Sequence, residues 1–162
     1  MPVLKKPHCL VSGFIFLLII AYSADASTTI DLPRGINHTE FSHLLNKYVN
    51  KQGLVNYQSW KKNASDQKAL NNYLLQYVGA TEKLAEGREK VASLINAYNA
   101  FTLKWILENY PTESIRALPD SWTEKRHIIG GKQVSLDEIE HDNLRPLIGW
   151  RVHSAIVCAA RS

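Results

Sequence analysis

One thiol, two histidines and a pair of asparagines carry most of the chemistry this sequence can offer. The cysteines are Cys9 and Cys158. Cys9 falls in an N-terminal stretch that reads as a removable leader, so Cys158 is the one thiol of the mature chain and an intramolecular disulfide is ruled out. A thiolate attacks far better than a thiol, so a working Cys158 needs a base or a positive neighbourhood. His153 stands five residues upstream. If residues 151–158 form a strand, side-chain alternation puts His153 and Cys158 on opposite faces, and only a bulge brings them together. The alternative is an inert, buried thiol.

His141 is the second candidate base. It follows Glu140 in a helical stretch whose inner face is Leu136, Ile139 and Leu144. Glu140, four residues after Leu136, borders that face, whereas His141 equally suits a solvent-facing place near the helix C-terminus. Asn96 and Asn99 are three apart on an otherwise apolar helix, so they project from one side of it. Asparagine is a poor interior helix residue, and two of them there point to amides that bond a neighbouring loop or a ligand. In a thiol hydrolase such an amide can donate to an oxyanion. Arg145 and Arg151 flank Pro146 and are placed either to hold a carboxylate or to be solvated. No His-Glu-x-x-His pattern or close His/Cys cluster occurs, and we expect no metal and no other cofactor.

Positioning these groups falls to a run of helices followed by strands. Phe41, Leu44, Leu45, Tyr48 and Val49 predict a first helix over about 38–50, with Asn37 or Thr39 as its cap. Residues 54–57 read as extended and 58–64 as a solvated, Lys-rich turn. A second helix over about 65–78 buries Leu70, Tyr73, Leu74, Tyr77 and Val78, capped by Ser65 or Asp66 and stopped by Gly79. The third, about 87–109, has an apolar stripe wide enough for a central helix, and Tyr110-Pro111 ends it. Residues 126–134 with Gly130-Gly131 predict a β-hairpin. Ser135-Leu136-Asp137-Glu138 is a capping box opening a helix to about Leu144 that Pro146 closes. A final strand is expected over 151–158. Helices first and strands later make an α+β domain.

The chain starts with Lys5 and Lys6, an apolar run from Leu10 to Ala21, and Ala24-Asp25-Ala26. This is the order of a signal peptide cleaved after Ala26. About 20 apolar residues are needed to cross a bilayer, more than this run supplies, so no membrane span is expected after cleavage. The protein is expected to be secreted or periplasmic, with an envelope or extracellular ligand. Cleavage lowers the formal net charge of +4 by one. The basic residues are scattered among acids, which argues against a nucleic-acid partner.

The residues from Leu94-Ile95-Asn96-Ala97-Tyr98-Asn99-Ala100-Phe101-Thr102-Leu103 onwards resemble the DUF547 family of domains of unknown function. Asn109-Tyr110-Pro111, Ser114-Ile115-Arg116 and Ile129-Gly130-Gly131-Lys132 continue the resemblance. So do Ser135-Leu136-Asp137-Glu138-Ile139-Glu140-His141, Leu144-Arg145-Pro146 and Val152-His153-Ser154-Ala155-Ile156-Val157-Cys158-Ala159. A DUF547-like domain is expected over 48–162, after a lead-in over 27–47. The resemblance implies a distant relationship to papain-like and transglutaminase-like folds, whose enzymes pair a Cys nucleophile with a His base. It also implies a domain that continues beyond the Cys158–Ser162 block, so the chain is expected to be truncated at its C-terminus. On this reading, if the domain is an enzyme, it is a thiol-dependent acyl transferase or amide hydrolase. Cys158 is then the nucleophile, His141 or His153 the base, and Asn96 or Asn99 the orienting amide. The alternatives are a non-catalytic envelope binding module and a non-functional fragment.

Overall fold

A computed structural model describes residues 29–156. Both the expected leader and Cys158 lie outside the described residues. Helices α1 (Thr39–Tyr48), α2 (Tyr57–Lys62), α3 (Ala64–Leu75) and α4 (Gly87–Glu108) precede strands β1 (His127–Ile129) and β2 (Lys132–Val134). A π-helical turn at Glu138–Leu144 then leads into α5 (Arg145–Ile148) and, after one 3-10 turn, α6 (Val152–Ala155). The fold is α+β, with helices around α4 and, among the described residues, one antiparallel hairpin.

α1 buries Phe41, Leu44 and Tyr48, the i, i+3, i+7 stripe of its sequence. Asn37 Oδ1 accepts from Thr39 N–H just before it. α2 replaces the solvated turn expected over 58–64. Tyr57 and Trp60 are both buried, one helical turn apart, and Asn56 Oδ1 accepts from Ser59 N–H at 3.0 Å to cap it. With six residues, α2 is too short to show a period in the sequence; the buried Trp60 ring, stacked on Tyr48, holds it in place. α3 is capped by Asn63, whose Oδ1 accepts from Asp66 N–H and Ser65 Oγ, and not by Ser65 or Asp66 themselves.

α4 has the width expected of a central helix: Leu94, Tyr98, Phe101, Leu103 and Ile106 are all buried although they point to different sides. The hairpin pairs His127 with Val134 and Ile129 with Lys132. Gly130 and Gly131 both have positive φ, as a two-residue turn of this twist requires. Their N–H groups donate to the Tyr77 and Val78 carbonyls, which fastens the hairpin to the turn that follows α3. A Cβ on Gly130 would overlap the Asp31 carbonyl.

The capping box forms in both directions: Glu138 N–H donates to Ser135 Oγ, and Ser135 N–H to Glu138 Oε2. The chain beyond the box differs from expectation twice. Pro146 does not close the helix, because the preceding turn is π-wound. Arg145 N–H reaches back five residues to the Glu140 carbonyl, and the proline sits in the first turn of α5, where its missing N–H is no loss. The expected final strand is also corrected: residues 152–155 are helical and Ile156 is extended, while 157 and 158 lie outside the described residues. Val152 and Ile156 are buried. A spacing of four puts residues on one face in a helix and in a strand alike, so the pattern could not separate the two.

Candidate functional site

Among the described residues, Glu140 is the buried acid of the C-terminal half, its side chain 9% exposed. A carboxylate loses hydration at such a place and needs a partner. Arg145 Nη2 donates to Glu140 Oε1 at 3.1 Å, and also contacts His153 Nε2 at 3.3 Å. A guanidinium has no acceptor, so His153 Nε2 must receive this bond on its lone pair. The ring proton then belongs on Nδ1, which lies 3.8 Å from Glu140 Oε1. The arrangement is a buried carboxylate behind a histidine whose side chain is 58% exposed, bridged by an arginine. The π-turn places Glu140 inward, and single π-turns of this kind are frequent at functional sites.

His141 is not part of this cluster. It is exposed, its Nδ1 lies 3.2 Å from the Asp137 carbonyl, and it turns along its own helix, since adjacent helix positions do not face each other. Asn99 Nδ2 donates to the Ala155 carbonyl at 3.1 Å, tying α4 to α6 two residues from His153. Asn96 is half-buried one turn earlier on the same helix. The opposite-face argument against a His153–Cys158 pair loses its premise, because His153 is on a helix. Cys158 itself lies outside the described residues.

Two of the cavities among the described residues lie on opposite faces of α4: the first is on the side whose asparagines pointed to a loop or a ligand, and the second gave no signal in the sequence. The first, about 420 Å³, lies between α1, the loop after it and α4, lined by Leu45, Val49, Val55, Leu103, Asn46, Asn50, Gly53, Asn99 and Thr102. Asn99, Thr102 and Leu103 share one helical face. Thr102 is buried, and its hydroxyl has no hydrogen-bond partner. The second, about 480 Å³, lies on the opposite face of α4, against β1. There the Arg126 guanidinium stacks on Trp105 at 3.8 Å, and His127 stacks on Phe101 at 4.3 Å. Burial first, then the Arg126 and Lys104 charges, push the His127 pKa down to about 3. Among the described residues, no group of three or more His, Cys, Asp or Glu is placed to hold a metal ion.

The residues that build this site lie largely within one family model. Residues 82–162 match the model described as protein of unknown function, DUF547. The chain belongs to the DUF547 family. The match takes in α4, the hairpin, the π-turn and α6, so Asn99, Glu140, Arg145 and His153 are all contributed by the DUF547 region. Searches of the curated proteins and of the solved structures found no match. Among the described residues no helix is long and apolar enough to cross a membrane.

Proposed function

We propose that this DUF547 protein is exported and catalyses thiol-dependent acyl transfer or amide hydrolysis, with Cys158 as nucleophile, His153 as base and Glu140 as the carboxylate behind it. One observation carries the reading: a solvent-facing imidazole on α6 has Nδ1 on the side of a buried carboxylate, 3.8 Å from Glu140 Oε1, and Nε2 held by Arg145, so that release of the arginine frees its lone pair. That is the division of labour in nucleophile–base–carboxylate triads. Asn99 supports it by fixing the α6 backbone through Ala155. The leader features of residues 5–26 support export.

In the proposed reaction His153 Nε2 takes the Cys158 proton as Sγ bonds to the acyl carbon. The ring returns that proton to the leaving nitrogen as the C–N bond breaks. Water, deprotonated by the same ring, then displaces the thiolate and releases the acid; an amine in place of water gives transfer. Arg145 must yield Nε2 to the thiol for the first step, which makes it a gatekeeping contact. His141 fits the base role less well, being exposed and turned towards Asp137.

The test is the rate of Cys158 alkylation by iodoacetamide against pH, read peptide by peptide in the mass spectrometer. A titration midpoint well below about 8.5 is expected, moving upward in His153→Ala. A midpoint at or above 8.5 that His153→Ala leaves in place overturns the catalytic reading. The same spectra read the N-terminus: Ser27 is expected in protein recovered outside the cytoplasm, and a retained Met1 overturns export.

A further inference from the structure

We infer that the cavity between α1 and α4 binds an uncharged, amide-bearing acyl chain. Nine residues line it and none carries a formal charge. An ion entering would lose hydration without a countercharge, so a neutral ligand is selected. Leu45, Val49, Val55 and Leu103 supply an apolar wall that suits a short aliphatic chain.

The polar contacts are few and fixed, as in ligand sites generally. Asn50 is committed to its own loop, its Oδ1 accepting from Gln52 and Leu54 N–H, while a Val49–Val55 bridge closes that loop. The cavity wall is therefore built before any ligand arrives. Thr102 is the telling residue: it is 1% exposed and its Oγ1 has no partner. A helical threonine ordinarily bonds back to a carbonyl one turn earlier, and a buried hydroxyl left without a bond is costly. A ligand amide offers both donor and acceptor, which matches this hydroxyl and the Asn46 amide on the facing helix.

Position relates the cavity to the proposed chemistry. Asn99 lines it and also holds the Ala155 carbonyl, two residues from His153. Describing the ligand as the substrate rests on the thiol-transfer reading; the binding itself does not.

The experiment therefore uses the full chain carrying Cys158→Ala, which cannot turn over. It is titrated by calorimetry with N-hexanoylglycinamide and, separately, with N-hexanoylglycine, the same body bearing a carboxylate. The glycinamide is expected to bind saturably, and the acid at least tenfold more weakly. Thr102→Val, which keeps the shape and removes the hydroxyl, is expected to weaken the glycinamide about tenfold. It is also expected to raise Tm by about 3 °C, because it removes an unsatisfied polar group. Asn46→Trp, a bulky change at an exposed position lining the cavity, is expected to abolish binding. Equal binding of the two compounds, a Thr102→Val chain that binds as before, or a lower Tm in that variant overturns the inference. Binding of the glycinamide together with an unreactive Cys158 would retain the site and remove the catalytic reading. A reactive Cys158 with no glycinamide binding would do the reverse.

Discussion

His127 shows at the level of one residue how burial sets behaviour. It carries a ring nitrogen with no partner and is packed on Phe101 in the floor of the second cavity. With its folded pKa pushed down to about 3 and an unfolded value near 6.5, the unfolded chain takes up a proton that the folded one refuses. Stability is therefore lost as pH falls from about 6.5, and the loss continues until about pH 3. The expected cost is about 2 kcal/mol between pH 6.5 and pH 5 from this residue. His38, whose pKa burial also lowers, adds in the same direction. His127→Phe, which keeps a ring against Phe101, should flatten Tm against pH over this range and leave only the His38 slope. An unchanged slope in that variant would show that His127 is not the group responsible. Asp66 acts in a separate, more acidic window: its bonds from Lys47 and Tyr48 lower its pKa, so its stabilisation is lost only below about pH 4.

At the scale of the element, the least expected piece is α2. A six-residue helix cannot persist on its own propensity, so its existence depends on what its side chains reach. Trp60 is fully buried and stacks on Tyr48 with ring centroids 4.6 Å apart, and Lys61 Nζ donates to the Leu107 carbonyl at the end of α4. Trp60→Ala is expected to cost about 3–5 kcal/mol in urea unfolding. It should also raise amide exchange across 57–62 well beyond the global change; protection that falls evenly over the whole chain would mean α2 is not anchored by this ring. The π-turn is a similar case. Asn143 accepts from Ile30 N–H and donates to the Glu138 carbonyl, so the turn is gripped from outside as well as capped from within.

Those two bonds matter for the molecule as a whole, because Ile30 and Asn143 are 113 residues apart. The N-terminal segment, irregular in its backbone, is a structural member: Ile30 and Leu32 are buried in the common core, and the Leu32 carbonyl accepts from Ala85 N–H. Ile30→Ala is expected to cost about 2–4 kcal/mol. It should couple to Asn143→Ala by more than about 0.5 kcal/mol in a double-mutant cycle read by denaturation. Additive effects would separate the N-terminal segment from the turn that bears Glu140. At this scale α4 is a partition, with the uncharged cavity and the His153 cluster tied through Asn99 on one side and the Trp105–Arg126 groove on the other.

Much of this was legible in the sequence wherever a pattern was both long and local. The α4 stripe, the double-glycine hairpin and the Ser135–Glu138 capping box each depend on residues within a turn or two of one another, and each is where the spacing put it. Asn99 and His153 were candidates by residue type alone. Tertiary structure alone decided three things. Residues 152–155 became helix although Val152 and Ile156 fit either period. The two histidines received different neighbours: Arg145 and Glu140 lie beside His153, while His141 is exposed and contacts the Asp137 carbonyl. And Thr102, an ordinary helical threonine in the sequence, became a buried hydroxyl without a partner because of what packs around it. The division has one physical cause. Capping, turn geometry and amphipathic period act between chain neighbours, whereas burial and the choice of a polar partner depend on residues brought together only when the core closes.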